Sequence, residues 1–232
     1  MWEEFRMLRD RYLPQILFQF GPIQISSTVV YSLLASVVLV GLAFSIRGHL
    51  DRPTGWRLGL EMLMEELEGM MREMLSCDPR AYTPLVVTLA FFIGLCNLMG
   101  QVPGLHAPTA DLSTAAALAV VVFFAVPFYG IRARGVRGYL GHYLEPAPFL
   151  LPIEIVTELS RTLTLAVRLF GNVMSEQLVV GVLLLLAGLL VPVPIMLLSV
   201  LTSVIQAYIF AVLTVVYLGA AIRSQSEQGR QT

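Results

Sequence analysis

The chain has 232 residues, of which 56% are hydrophobic and 13% are charged, and its mean hydropathy is +0.76. A composition this apolar is typical of a polytopic membrane protein and excludes an ordinary soluble domain. The formal net charge of −1 argues against nucleic acid as a partner. Cys77 and Cys96 are too few for a disulfide framework or a cysteine metal site, and we predict no metal and no cofactor.

Apolar runs predict an all-α membrane protein with five transmembrane helices and no internal repeat, forming a single domain. A hydrocarbon core of about 30 Å needs about 20 helical residues. The first three spans are predicted at about residues 26–46, 82–102 and 112–131. The last two, at about 152–190 and 194–222, are longer than an upright crossing requires. They therefore indicate a long tilted helical hairpin, broken by a VPVP turn.

An amphipathic helix is predicted between the first two spans, at about residues 55–76. Leucine and methionine side chains share one stripe, and an acidic face opposes it. Two interpretations remain open. The helix lies in the cytoplasmic membrane interface, or its acidic face binds a partner protein, since anionic lipid would repel that face.

Basic residues are concentrated on one side of the predicted spans. The loop at residues 103–111 contains one acid and no base. By the positive-inside rule, this asymmetry predicts a cytoplasmic C-terminus and an N-terminus outside. The arginines that carry the argument are Arg47, Arg52, Arg57, Arg132, Arg134, Arg137, Arg223 and Arg230.

Arg168 lies where a charge is costly. Residues 163–189 contain only two formal charges, Arg168 and Glu176. An arginine cannot lose its proton to escape burial, and a cation at the bilayer centre costs roughly 2.5–3.5 kcal/mol. Glu176 is eight residues away, about 12 Å along a helix, so the two cannot pair directly on one helix. Arg168 is therefore predicted to be functional and to have an anionic partner elsewhere.

Polar residues line up with Arg168 along the fourth span. At about 100° per residue they occupy a sector of about 120°, over a length of about 33 Å, and apolar side chains occupy the other side. We call this row, with Arg168, the first stripe. Its other members are Glu154, Thr157, Glu158, Arg161, Thr164, Asn172, Ser175 and Glu176.

A second stripe follows the fifth span, and its members are Ser199, Thr202, Ser203, Gln206 and Tyr217. Hydroxyl groups in membrane helices commonly bond between helices, which is the simple interpretation of Thr202 and Ser203. Gln206 is predicted to be functional, because a primary amide in hydrocarbon needs specific partners. Two such stripes on adjacent antiparallel helices form a hydrated path or present a charged face to another protein.

Three acids outside the centre of the spans each have two interpretations. Glu154 and Glu158 either pair with Arg161 at the membrane interface or line a hydrated vestibule. Asp111 either caps the third span, by accepting free N–H groups, or lines an outer ion entry.

The strings ELSRTLTLAVRLFGN (158–172) and IQAYIFAVLTVVYL (205–218), with NLMGQVPG (97–104) and PTADLSTAAALA (108–119), carry a family resemblance. The chain resembles subunit a of the rotary F-type ATP synthases over about residues 84–221. Such a combination of motifs is highly specific. The resemblance implies a non-catalytic subunit in the bacterial inner membrane, with membrane lipid, a ring of c subunits and peripheral-stalk b subunits as partners.

The same resemblance implies a bent bundle whose last two helices face the ring, with two offset half-channels for H⁺ or Na⁺. Arg168 matches the essential arginine, which discharges the ring carboxylates and so couples ion flow to rotation. Asn172 and Gln206 match polar positions flanking it. Tyr217 lies toward the cytoplasmic exit, and Glu154 matches a cytoplasmic half-channel acid. The remaining half-channel candidates are Asp111, Glu158, Ser175, Glu176 and Ser199.

The chain departs from the family pattern at two positions. Gln177 stands where many members have an acid or histidine nine residues after the arginine, and Glu176 lies one position earlier. Ser199 stands where some members have a histidine. The string VMSEQ (173–177) is similar to the alternate, often Na⁺-linked branch. The transported ion therefore remains open.

Two other classes of function are compatible with a charged membrane helix. A stand-alone secondary transporter would use Arg168 to bind an anionic substrate, but such transporters usually contain inverted repeats. A purely structural scaffold would not need charges along a stripe of about 33 Å.

Overall fold

Six α-helices carry the fold in the computed structural model, which describes residues 16–20, 23–47, 55–75, 78–102, 105–144, 151–188 and 190–223. Cys77, Arg52 and Arg230 lie outside these residues. The helices are α1 (Ser27–Arg47), α2 (Gly55–Met74), α3 (Thr83–Met99), α4 (Leu112–Leu144), α5 (Leu151–Ala187) and α6 (Pro192–Arg223).

The α-helical membrane fold predicted from the apolar runs is confirmed, with one short β-hairpin in addition. Among the described residues, four helices contain apolar stretches long enough to cross a membrane, Ser27–Phe44, Leu112–Ala133, Ile155–Leu184 and Pro192–Ile222. The shorter apolar helix α3 has 17 residues, at the lower limit for a spanning helix. It ends before the predicted residue 102 because the chain turns, with the Gly100 N–H donating to the Asn97 carbonyl at 3.1 Å.

A short β-hairpin precedes α1 and was not anticipated from the sequence. Strand β1 (Ile16–Phe20) pairs antiparallel with β2 (Ile23–Ser26), and a register irregularity lies between Ile16 and Phe18. Its apolar residues lead almost directly into the first apolar run. Periodicity therefore gave no separate strand signal there.

Helix α4 extends well beyond the predicted end at residue 131. It continues through Pro127 to Gly135, where φ of 74° and ψ of 163° break the helical conformation, and a second helical segment then runs to Leu144. The arginines predicted to lie in a loop, Arg132, Arg134 and Arg137, are therefore on a helical extension. Hydropathy marks where an apolar run ends, but a helix can continue into polar residues with adequate propensity.

The connection between α5 and α6 explains where each helix ends. Gly188 follows α5 with φ 76°, a conformation that glycine adopts without steric cost after a helix. Pro192 opens α6, where its missing N–H has no helical partner to lose. Both positions lie close to the break predicted between the last two spans.

Two compact units divide the chain. The first contains residues 1–52, 91–115 and 168–207. Its apolar cluster consists of Ala35, Cys96 and Met99 with Tyr31, Phe92 and Leu95 packed against it. Helix α1 is otherwise largely uncovered, as expected for a helix surrounded by lipid. Its exposed apolar residues include Val29, Val30, Leu33, Leu34, Val37, Val38, Val40 and Phe44.

The second unit contains residues 53–90, 116–167 and 208–232. Helix α2 lies here, and its predicted apolar stripe is buried only in part, with Leu63 and Met64 exposed. Leu67, Met71 and Leu75 are buried at spacings of four residues, whereas the acidic face is exposed and includes a pair between Arg72 and Glu68 at 3.5 Å. Tyr82 packs edge-on against Tyr129 of α4, with ring centroids 5.1 Å apart.

Candidate functional site

Most described side chains of the first stripe are left uncovered by their own chain. Arg168, Glu158 and Glu176 are half-buried, and the other described side chains of the stripe are exposed. A neighbouring face of α5, centred roughly 120° around the helix from Arg168, is apolar and packed inward. Its buried residues are Leu165, Ala166, Leu169, Val173 and Val180. An uncovered polar face on a membrane-spanning helix is costly in lipid, so it needs water or a polar partner.

Hydroxyl groups in the first half of α5 are already satisfied within the helix. The Thr157 hydroxyl donates to the Ile153 carbonyl at 2.8 Å, and the Thr164 hydroxyl donates to the Ser160 carbonyl at 2.7 Å. Such bonds to the residue four positions earlier leave little demand for an external partner. The need for a partner is therefore concentrated at the charged and amide groups of the stripe.

Arg168, unlike these hydroxyl groups, forms no hydrogen bond with its own helix in the described part of the chain. Within the described residues, no acid lies at ion-pair distance from its guanidinium and no hydrogen bond from it is formed. Glu176, the other charge of this apolar stretch, accepts a hydrogen bond from Gln101 instead. The arrangement leaves a permanent cation on an uncovered face of a spanning helix.

The second stripe, in contrast, is mostly buried. Ser199, Ser203 and Gln206 are each 3% exposed. Asn172 joins the two stripes, because its Nδ2 donates to Oε1 of Gln206 at 2.7 Å. Asn172 lies one helical turn beyond Arg168, so this amide pair fixes α5 against α6 next to the cation.

The hydroxyl groups of Thr202 and Ser203 behave differently from the simple interpretation. Thr202 donates to the Leu198 carbonyl of its own helix at 2.9 Å, so it does not link helices. The Ser203 hydroxyl is buried and has no hydrogen-bond partner in the described part of the chain. Neither side chain therefore forms the predicted interhelical bond.

Glu176 has a partner that the sequence did not suggest. Nε2 of Gln101, in the turn after α3, donates to Oε2 of Glu176 at 3.4 Å, a long hydrogen bond. Gln177 also lies against this turn, because a Cβ built on Gly100 would stand 3.2 Å from its Nε2 and 2.6 Å from Cβ of Ala107. Gln101 belongs to the NLMGQVPG string, the only sequence signal that pointed to it.

Three further polar contacts hold the segment between α3 and α4. The Thr109 hydroxyl donates to Oδ1 of buried Asn97 at 2.6 Å. Asp111 caps α4, because its Oδ1 accepts from the Ser113 backbone N–H at 3.0 Å, and its Oδ2 accepts from the Thr28 hydroxyl of α1 at 3.1 Å. The capping interpretation of Asp111 is thus observed, and its place in an ion entry stays a prediction.

A separate charged group lies in the second unit. Arg161 is 3.5 Å from Oε2 of Glu158, and its guanidinium stands 5.7 Å from the centre of the Tyr217 ring. The pair interpretation therefore holds for Glu158, and Tyr217 adds a cation–π contact. The Glu154 side chain lies outside the described residues. No group of three or more potential metal ligands occurs among the residues that were described.

Comparison with known proteins identifies one family. The family described as ATP synthase A chain matches residues 28–219 of this chain. This interval contains every residue of both stripes.

The sequence is similar to individual members of this family over nearly their whole length. "ATP synthase subunit a 2" of Bradyrhizobium sp. strain BTAi1 is 42% identical over 211 residues, covering 90% of this chain and 94% of the relative. "ATP synthase subunit a" of Legionella pneumophila strain Paris is 39% identical, with 94% and 96% covered. "ATP synthase subunit a 2" of Picosynechococcus sp. strain PCC 7002 is 44% identical, with 92% and 93% covered.

Proposed function

Because this chain belongs to the ATP synthase A chain family, we propose that it is the ion-conducting stator subunit of a rotary F-type ATP synthase. In this role it performs no bond-making chemistry itself. It provides two offset half-channels for H⁺ or Na⁺ and one fixed cation, Arg168, against which the ring of c subunits turns.

One observation carries this proposal: the unpaired Arg168 on the uncovered first stripe. A cation in this position needs an anion that its own described residues do not supply. A rotor carboxylate passing the stripe supplies the anion and covers the polar face.

The electrostatics of this encounter gives the mechanism. A carboxyl group turning through lipid must be neutral, either protonated or loaded with a cation. When it comes within about 4–6 Å of Arg168, the positive charge favours its ionised form, and the ion is released. Ions that cross a membrane potential supply about 2.3 kcal/mol per charge per 100 mV, which drives the rotation. The guanidinium also blocks a direct passage of cations between the two half-channels.

Half-channels are assigned from the polar groups on either side of Arg168. We assign Asn172, Ser175, Glu176, Ser199, Gln206 and Asp111 to the outer path, and Glu154, Glu158 and Tyr217 to the inner path. Gln101 joins the outer path because it bonds to Glu176. The chain sits in the plasma membrane as a multi-pass protein with its C-terminus in the cytoplasm, and it contacts lipid and the peripheral-stalk b subunits.

Cysteine cross-linking in the assembled complex tests which face of α5 meets the ring. In a background with Cys77 and Cys96 replaced by alanine, Thr164→Cys and Leu165→Cys form a matched pair of neighbouring positions that differ in exposure. The first residue is exposed and the second is 2% exposed. Each is combined with cysteines along the carboxyl-bearing helix of the c subunit, and the complex is oxidised.

We expect Thr164→Cys to cross-link to the ring and Leu165→Cys to remain unlinked. Cross-linking of the buried position alone would contradict the proposed face. A purified chain that transports an anionic solute without any ring would favour the stand-alone transporter.

A further inference from the structure

Two buried polar atoms in the first unit lack a hydrogen-bond partner among the described residues, Nδ2 of Asn97 and Oγ of Ser203. Their side chains are almost completely buried, with Asn97 1% and Ser203 3% exposed. Buried polar groups are nearly always hydrogen-bonded, and an exception commonly marks a bound water or ion. Asn97 is anchored through its oxygen by Thr109, which leaves its amide nitrogen as the free donor.

Neighbouring contacts place both atoms at one level of the bundle. A Cβ built on Gly94 of α3 would stand 3.6 Å from Cβ of Ala207 of α6, so the helices touch there. In the turn after α3, Gln101 contacts Glu176, which lies one helical turn beyond Asn172, the residue of α5 that bonds to Gln206. Helix α3 therefore runs parallel to α5 in this unit, and antiparallel to α6.

That direction puts the two side chains on the same side of the Gly94–Ala207 contact. Asn97 follows Gly94 by three residues and Ser203 precedes Ala207 by four, so each lies about one turn, roughly 5 Å, from the contact and on its face. Glycine and alanine bring the helices together at the contact.

We propose that Asn97 and Ser203 form a buried water site between α3 and α6. The amide nitrogen of Asn97 only donates hydrogen bonds, so it cannot coordinate a cation. A water oxygen can accept a hydrogen bond from it. The same water exchanges a hydrogen bond with the Ser203 hydroxyl, which both donates and accepts. Water bridges of this kind replace direct bonds at little cost.

This inference rests on the proposed function and refines its outer half-channel. Ser203 lies one turn before Gln206, which bonds to Asn172, and Asn97 lies one turn before Gln101, which bonds to Glu176. The water therefore connects the Gln101–Glu176 pair with the Asn172–Gln206 pair. It gives an ion that enters at Glu176 a polar route toward Arg168.

Silver-ion sensitivity of a cysteine at position 203 tests the site, since Ag⁺ is small and reaches thiols through water. In the complex with Cys77 and Cys96 replaced by alanine, Ser203→Cys is compared with Val173→Cys, a buried apolar position of the same unit. ATP-driven ion uptake into vesicles is measured before and after Ag⁺. We expect loss of uptake only in Ser203→Cys.

Uptake that is equally resistant to Ag⁺ in both variants would mean that the position is dry and would overturn the inference. The proposed function would stand in that case, because uptake itself would persist. If Ser203→Cys does not assemble, an electron-microscopy map of the unsubstituted complex decides, at a resolution that shows ordered water. Density bridging Nδ2 of Asn97 and Oγ of Ser203 supports the site, and a clear map without it contradicts the site.

Discussion

The side-chain amide of Asn172 donates to the side-chain oxygen of Gln206 over 2.7 Å, which ties α5 to α6 one turn beyond Arg168. Gln206 is buried and Asn172 is exposed, so the pair reaches from the interior to the uncovered face. Its position gives it two roles, holding the hairpin together and keeping a polar path beside the cation.

These two roles are separable by substitution. Asn172→Ala leaves the Gln206 oxygen without its donor and should destabilise the fold by about 1–3 kcal/mol. The double variant Asn172→Leu with Gln206→Met removes both polar groups while keeping their approximate shapes, so it should recover most of the stability. It should not recover ion uptake. The apparent melting temperature of the purified complex and ATP-driven uptake measure the two effects. Full recovery of uptake would show that the pair is only structural.

Gly100 is predicted to tolerate no side chain. A Cβ there would stand 2.6 Å from Cβ of Ala107, so Gly100→Ala should cost about 1–3 kcal/mol through overpacking and displace Gln101 and Gln177 nearby. Gly69→Ala is the control, because nothing lies within 4 Å of a Cβ on that exposed residue of α2. The control should be neutral or slightly stabilising in a thermal melt. Equal melting temperatures for both variants would refute the close packing.

Glu176 is predicted to carry ions in the outer path although it is one position before the family's usual site. Glu176→Gln keeps an oxygen that can accept from Gln101 but removes the ionisable group. We expect uptake to fall by about a hundredfold, the low end of what a positioned proton-transfer group contributes. Adding Gln177→Glu should restore part of it, because Gln177 also lies against the turn after α3. Glu65→Gln, on the exposed face of α2, is the control that should leave uptake unchanged.

Tyr217 is predicted to act through its ring. The Arg161 guanidinium lies 5.7 Å from the ring centre, so Tyr217→Phe should keep the contact, whereas Tyr217→Leu should lose about 0.5–1 kcal/mol. Glu158→Gln should cost no more than about 1 kcal/mol, because the ion pair is partly exposed. Thermal melts of the three variants give the comparison. If Tyr217→Phe is as unstable as Tyr217→Leu, the stabilising contact is made by the Tyr217 hydroxyl and not by its ring.

The sequence predicted the parts of this structure that depend on helical periodicity. Counting from Arg168 placed Asn172 and Ser175 on one face and left Leu169 and Val173 on the other. The structure exposes the first pair and buries the second. Side chains on one helix repeat at a fixed angle, so which residues share a face follows from the sequence once the helix is recognised.

Contacts between distant segments were not predictable in the same way. Gln101 and Glu176 are 75 residues apart, and Thr28 and Asp111 are 83 apart. No periodicity relates such pairs, because they form only when separate helices pack. The partner of the Thr202 hydroxyl was also not predictable. A hydrogen bond to its own helix and one to a neighbouring helix satisfy this group equally well, and the sequence does not distinguish them.

The most direct test of the central claim is ATP-driven ion uptake in vesicles that contain the whole complex, with Arg168→Ala and Arg168→Lys compared to the unsubstituted protein. Arg132→Ala, an exposed arginine on α4, is the control. We predict that both Arg168 variants abolish uptake. Alanine removes the cation, and a buried lysine can lose its proton whereas arginine cannot. The control should transport normally, and a protonophore or removal of Na⁺ then identifies the ion. Coupled uptake that persists in Arg168→Ala would contradict the account.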